Sequence, residues 1–356
     1  MKNSAKYFSI LFGIIFIIIL SFFHGSEYIE FHEEKKSALK HNLEINSQLE
    51  AFTLQGIQNI DDIEIYQTPD IGLLDQIVSE INNAKNRVYL ETYILTETRI
   101  QQALIDSYKK GIDIQVVLEK NPYKAYNINN KSFNNLTSHG VPVFWSDSDD
   151  YSFNHAKFSI IDENVYISTG NYSYSTFKYN RDYFLKTSDS DILSNMLEIF
   201  IHDASGNKYQ IYHPNIILSP FNSRFIFKTF FESAQESIFM YFQYFKDEEL
   251  VETLISKEND GIHVTAVIPE SALDNNKDVL EKMSNAGIEF HIMQKNKMHS
   301  KMILTDKQYL YIGSINFSSY SLDQNREVGL LIKNPTIINK IINYYQEDIA
   351  KNTVKK

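Results

Sequence analysis

The chain opens on an unbroken apolar run, YFSILFGIIFIIILSFF, from Tyr7 to Phe23. As a helix it is about 26 Å long at ~1.5 Å per residue, just enough to cross a bilayer core. A cleaved signal peptide needs small residues before the cut. The run ends in Ser21-Phe22-Phe23-His24-Gly25, a poor cleavage site, so residues 1–25 read as an uncleaved membrane anchor. Lys2 and Lys6 ahead of the run place the N-terminus in the cytoplasm and the body outside it, in the periplasm or the extracellular space. Residues 26–59 are polar and charge-rich and read as a stalk. From about residue 60, apolar stretches of strand length alternate with helical ones, which predicts an α/β body.

The pattern then repeats. Ala84–Leu95 (AKNRVYLETYIL) and Ala234–Phe245 (AQESIFMYFQYF) each run from a polar helix end into an aromatic strand. Gly111–Glu119 (GIDIQVVLE) and Gly261–Glu270 (GIHVTAVIPE) each open on a glycine suited to a helix C-cap and enter a buried strand. Both pairs are offset by 150 residues, and a third pair starts at Gly140 and Gly287. Self-similarity at this length predicts a duplicated domain. The halves are expected at 60–205 and 206–352, divided near SGNKYQIYHPN where turn formers cluster. The fold class is two similar mixed-sheet α/β domains related by a pseudo-two-fold axis, after the N-terminal transmembrane helix.

Composition narrows the function. With 43% hydrophobic and 22% charged residues, the chain is globular. A net charge of −11 disfavours a nonspecific nucleic-acid binder but leaves room for a basic cleft in an acidic body. The absence of cysteine rules out disulfides, thiolate metal sites and cysteine nucleophiles.

Within the repeat, Asn154–Asp162 reads NHAKFSIID and Met298–Asp306 reads MHSKMILTD, with one spacing: His, one residue, Lys, four residues, Asp. Asn171 then aligns with Asn316, Ser173 with Ser318, and Arg181-Asp182 with Arg326-Glu327. Alternate strand side chains share a face, so His155 and Lys157 lie together, roughly 6–7 Å apart, as do His299 and Lys301. Asp162 and Asp306 have the opposite parity; they are expected to miss their own histidines and to fix the following turn. Halves packed face to face bring two His and two Lys together. Lysines and asparagines bind a phosphate diester. One histidine attacks phosphorus as neutral imidazole while the other protonates the leaving oxygen. Asp182 and Glu327 are expected to orient the rings, with Asp182 the closer partner of His155. No metal or cofactor is required.

These paired H-x-K-x4-D motifs, with the Asn/Ser positions and the later Arg-acid pair, resemble the phospholipase D superfamily from about residue 65 to residue 335. The resemblance implies a covalent phosphohistidine intermediate and transfer to water or an alcohol. It implies His155 as nucleophile, since in the family the first motif's histidine often has that role, and His299 as general acid and then base; the reverse assignment is the alternative. Lys157, Lys301, Asn171 and Asn316 would hold the phosphate oxygens, with Ser173 and Ser318 beside them, and Asp162 and Asp306 complete the catalytic motifs. The first copy departs from the family pattern at Ser168-Thr169-Gly170-Asn171, where the second has Gly313-Ser314-Ile315-Asn316, and at Asp182 in place of Glu.

Other positions favour plainer readings. His291 is read as a satisfied structural residue. The acidic run Asp147–Asp150 is read as a solvated loop. Tyr172, Phe317 and Tyr320 are read as packing, and Tyr241, Phe242, Tyr244 and Phe245 as a strand buried on both faces. Three functions compete. The first is a membrane-anchored phospholipase D or phosphatidyl transferase, including cardiolipin-synthase-like activity, with phospholipid and membrane as partners. The second is an exported phosphodiesterase nuclease, for which the Lys and Arg outside the motifs show no cluster. The third is a non-enzymatic binding module, opposed by intact motifs in both halves. No obligate protein partner is implied, since both halves of the site lie in one chain.

Overall fold

The computed structural model describes residues 52–146, 150–205 and 213–355. The anchor, most of the stalk, three residues of the acidic run and most of the inter-repeat stretch lie outside the described residues. Among the described residues no helix is long and apolar enough to cross a membrane.

The last residues of the segment read as stalk are packed instead. Leu54, Ile57 and Ile60 are buried at three-residue spacing. Asn215 fastens this stretch through both ends of its amide: Gln58 N donates to Asn215 Oδ1 (3.0 Å) and Asn215 Nδ2 donates to the Gln58 carbonyl (2.8 Å).

Each repeat builds one mixed sheet, and strand order is the same in both. Edge to edge, the first runs Ile63–Gln67, Tyr183–Thr187, Asn164–Ser168, Lys157–Ile161, Arg87–Thr92, Asp113–Glu119 and Val143–Ser146. The second runs Ile216–Ser219, Glu327–Ile332, Tyr309–Gly313, Met302–Thr305, Ser237–Tyr241, His263–Pro269 and Glu289–Met293, with Thr353–Lys355 added at the edge. The parallel strands are linked by helices such as Ile71–Asn83, capped by Asp70 and burying Leu73, Leu74, Ile77 and Ile81 in one stripe.

The sheets are not separated by a gap. Phe158, Ile160, Ile167 and Leu185 of the first share one apolar cluster with Met302, Leu304, Ile312 and Leu330 of the second. Helices Ser190–Ser205 and Pro335–Asn352 add Ile192, Met196, Ile337 and Ile341 to it. Ile161, in line with Lys157, belongs instead to the cluster under the helices of the first repeat. The histidine motifs therefore meet at strand ends along the seam, while the alternate residues of the same strand hold the two sheets together.

The hairpin after each motif explains the length difference between the copies. Ile161 pairs with Asn164 across a two-residue turn, and Thr305 pairs with Tyr309 across a three-residue one. Asp162 and Asp306 open these turns at φ of 52° and 54°, a conformation that Asp tolerates better than most residues.

Candidate active site

Short parallel pairings across the seam build the site. Lys297–Met298 pairs with Asn180–Arg181, and Asn154 bridges Arg326. The amide of His155 donates to the Arg326 carbonyl (2.8 Å), and that of His299 to the Arg181 carbonyl (3.1 Å). Each histidine motif is thereby fixed to the residue preceding the other repeat's acid.

The consequence corrects the expected pairing of rings and acids. His155 Nδ1 lies 2.7 Å from Glu327 Oε2, and His299 Nδ1 lies 2.9 Å from Asp182 Oδ1. The partner of His155 is therefore Glu327, not Asp182, because the backbone pairing crosses between repeats. The acid side chains are fully buried, whereas the imidazoles keep 13% and 16% exposure, leaving a ring edge open to a ligand.

The lysines close around these dyads. Lys301 Nζ lies 3.2 and 3.3 Å from the two ring nitrogens of His299 and donates to the Thr169 carbonyl (3.2 Å). Lys157 Nζ donates to the His155 carbonyl and lies 5.2 Å from the Tyr93 ring centroid. Tyr93 also packs edge-on against His155, with centroids 4.6 Å apart. Tyr93 was not singled out from sequence; its only signal is a position two residues beyond Glu91 at the end of the central strand.

Four basic groups buried together oppose one another's protonation. Burial pulls the His155 imidazole down to about 4; the Lys157 and Lys301 charges act in the same direction and Glu327 opposes them. Burial pulls Lys301 down to about 8 against the attraction of Asp182 and Glu327. Lys157 and His299 are also lowered, first by burial and then by the charge of Lys301, with Lys157 adding a smaller push at His299. Burial alone would raise Asp182, but His299, Lys301 and the Thr169 hydroxyl together hold it below the usual range. At neutral pH His155 is thus uncharged. An Nδ1–H given to Glu327 leaves its Nε2 lone pair free.

The remaining expected residues divide. Asp162 and Asp306, grouped with the catalytic set, are not at the rings. Asp162 accepts from the amides of Lys85 (2.8 Å), Asn86 (2.7 Å) and Arg87 (3.1 Å). Asp306 does the same for Gln235, Glu236 and Ser237. At the far end of its strand, seven residues on, Asp162 is roughly 23 Å from His155. The turn it fixes is the one entering the neighbouring strand, not the hairpin that follows it. Ser173 and Ser318, expected at phosphate, cap the short helices Tyr174–Lys178 and Ser319–Asp323 with their hydroxyls. Asn171 and Asn316 each keep a buried Oδ1 without a partner.

The Ser168-Thr169-Gly170 departure has a steric reason. A Cβ at Gly170 would stand 2.7 Å from Asp182 Oδ2, and one at Gly313 would stand 2.5 Å from Gly329 Cα. Each copy thus keeps a glycine where a Cβ would collide, at a different position of the motif. Of the plainer readings, Tyr172, Phe317, Tyr241, Phe242 and Phe245 are buried, whereas Tyr320 is exposed. His291 is satisfied by Glu289.

A family model described as "Cardiolipin synthase, PLD-like domain" matches residues 77–204 and again 227–349. The chain belongs to the phospholipase D superfamily. It is an enzyme of the phospholipase D type. A cardiolipin synthase of Clostridium perfringens is 23% identical over 346 residues, covering 81% of this chain and 70% of its own. Phosphatidylserine synthase of Haemophilus influenzae superposes with a TM-score of 0.71 at 14% identity, over 88% of this chain and 91% of its own. A polyphosphate kinase of Porphyromonas gingivalis gives 0.65 at 15% identity, over 82% and 48%. At these identities the two solved structures speak for the phospholipase D fold, not for a substrate.

Proposed function

We propose that this chain is a phosphatidyltransferase acting on phospholipid through a covalent phosphohistidine. The supporting observation is the pair of crossed His–carboxylate dyads with a lysine buried beside each. Like charges in such a cluster repel: one charge pair at ~4 Å is worth on the order of 4 kcal/mol at an effective dielectric of ~20. A bound phosphodiester would offset the mutual repulsion of the basic groups.

In this reading His155 Nε2 attacks phosphorus, and the phosphorus–oxygen bond to the leaving alcohol breaks. His299 gives that oxygen its proton. A second alcohol, or water, then loses its proton to His299 and attacks phosphorus, breaking the phosphorus–nitrogen bond and freeing His155. Glu327 and Asp182 hold the rings by Nδ1. Lys157, Lys301, Asn171 and Asn316 hold the nonbridging oxygens. The two repeats, 60–205 and 206–352, act as two phospholipase D-like domains that complete one site. An N-terminal anchor would keep this site near lipid head groups, with the body outside the cytoplasm.

The lipid reading draws on the family description and the cardiolipin synthase relative. Its test is a parallel assay of purified protein on phosphatidylglycerol, phosphatidylcholine and single-stranded DNA, measuring cardiolipin, released head group and nucleotides. Turnover of lipid with intact DNA is expected. Hydrolysis of DNA alone would replace this reading with that of an exported nuclease.

A further inference from the structure

The two dyads look equivalent, but their surroundings are not. Behind His299, Arg181 Nη2 donates to Asp348 Oδ1 (2.8 Å), and the buried phenol of Tyr241 donates to Asp348 Oδ2 (2.9 Å). Behind His155, Arg326 takes the place of Arg181, and Asp203, on the corresponding helix, takes that of Asp348 (2.9 Å from Arg326 Nη2). The residue in the place of Tyr241 is Glu91. The registers fix this equivalence: Glu91 lies opposite Phe158, three residues after His155, and Tyr241 lies opposite Met302, three residues after His299.

Glu91 is fully buried, and its carboxyl reaches that of Asp203. Asn154 Nδ2 donates to Glu91 Oε1 (2.8 Å). Glu91 Oε2 is buried without a donor, and Asp203 Oδ2 has only the ion pair with Arg326 Nε (2.9 Å), which is not aligned as a hydrogen bond. Two carboxylate oxygens cannot satisfy each other unless one carries a proton. Where the second repeat supplies a phenol O–H to its aspartate, the first must supply a carboxylic acid O–H.

We propose that Glu91 and Asp203 share one proton, and that this acid pair is a positioning device for the His155–Glu327 dyad that the His299–Asp182 dyad lacks. Its reach is through two residues. Asn154 directly precedes His155, and its Oδ1 accepts from the amide of Ala156 (3.1 Å). Arg326 directly precedes Glu327, and its carbonyl receives the His155 amide. The other ionisable groups facing the pair are His202, 2.7 Å from Asp203, then Asp150 on the far nitrogen of His202, Glu119 on the Asn154 amide, and Tyr151 under the Arg326 guanidinium. Burial, then the charge of Asp203, raise Glu91 well above the usual carboxylate range, against the Asn154 hydrogen bond and Arg326. Without the shared proton, two buried anions would compete for one guanidinium, and both tethers of the dyad would slacken.

The inference rests on the proposed role of His155 only for its effect on turnover, so its test has two readouts that need no substrate. Difference infrared spectra of wild type against Glu91→Gln at pH 7 should show a protonated carboxylic acid that the variant lacks. Nitrogen-15 spectra of the imidazoles, assigned through His155→Gln and His299→Gln, should show the His155 ring displaced in Glu91→Leu and the His299 ring unmoved. In turnover, Glu91→Leu should lower kcat about tenfold, the worth of one buried hydrogen bond, at near-constant KM. Glu91→Gln, which keeps a neutral donor and acceptor, should recover most of that loss. Should Glu91→Leu not fold, Asn154→Ala cuts the same tether and should displace the His155 ring alone. The proposal is overturned by a missing carboxylic acid band, by an unmoved His155 ring, or by a Gln variant as slow as the Leu variant. A wild type inert toward every phosphodiester would sink the functional reading instead, and the two spectra would still decide this one.

Discussion

Replacing Asp162 by Ala separates a structural aspartate from a catalytic one. The carboxylate receives three backbone amides at 2.7–3.1 Å, from Lys85, Asn86 and Arg87. Hydrogen bonds to a charged group are worth about 1.5–3 kcal/mol each when buried. This turn is partly exposed and water replaces much of that, so roughly 1 kcal/mol apiece is a fair figure. Ala at a φ of 52° adds about 1 kcal/mol of backbone strain. The total is about 4 kcal/mol. At ~2 °C per kcal/mol for a body of this size, the melting temperature should fall by about 8 °C. Thermal unfolding by circular dichroism measures it. The same three amides hold the Asp162 carboxyl below its usual range although burial alone would raise it. Its stabilisation is therefore present above the unfolded-state value and is lost as pH falls through the folded one, so the two melting curves should converge below about pH 4. Turnover per folded molecule should stay within about threefold, because no charge near the rings changes. An unaltered melting temperature with turnover down a hundredfold would refute the assignment.

Glu327→Gln keeps the shape beside His155 but removes the charge, and kcat should drop by about 10–100-fold, the worth of one charge-assisted hydrogen bond, with phosphodiester turnover as the assay. The pH profile of kcat/KM should fall on the acid side near pH 4, where His155 takes up its proton, and on the alkaline side first where His299, held below the ordinary imidazole range, loses the proton it donates, and again near pH 8, where Lys301 loses its own. Dialysis against EDTA should leave the rate unchanged, since the His–His division of labour assigns no step to a metal ion; loss of rate restored by a divalent cation would demand another mechanism.

Much of this was legible in the chain because duplication printed it twice. The offset of 150 residues between AKNRVYLETYIL and AQESIFMYFQYF located the central strand of each sheet, and the two H-x-K-x4-D runs located both histidine–lysine pairs. Strand parity correctly kept Asp162 away from His155. It failed on the partner acid because parity describes one strand, whereas the pairing of His155 with Glu327 depends on a parallel bridge between Asn154 and Arg326, 172 residues apart. A two-fold relation exchanges partners between repeats, and a sequence aligned on itself shows which residues correspond without showing which ones touch. Ser173 and Ser318 have a structural task that their spacing did not show. A serine two residues after a motif asparagine suits phosphate, but each also opens a short helix whose first amides need a cap. Glu91 gave no signal as a charge, since it sits in a strand that reads YLETY, and its meaning appears only beside Tyr241.

The most direct measurement concerns the covalent intermediate. Wild-type protein mixed with phosphatidylglycerol, quenched in alkali and digested, would be searched by mass spectrometry for a phosphatidyl adduct on histidine. The account predicts the adduct on His155, present during turnover and absent in His155→Ala. Full turnover with no histidine adduct, or an adduct on His299 that survives His155→Ala, would contradict it.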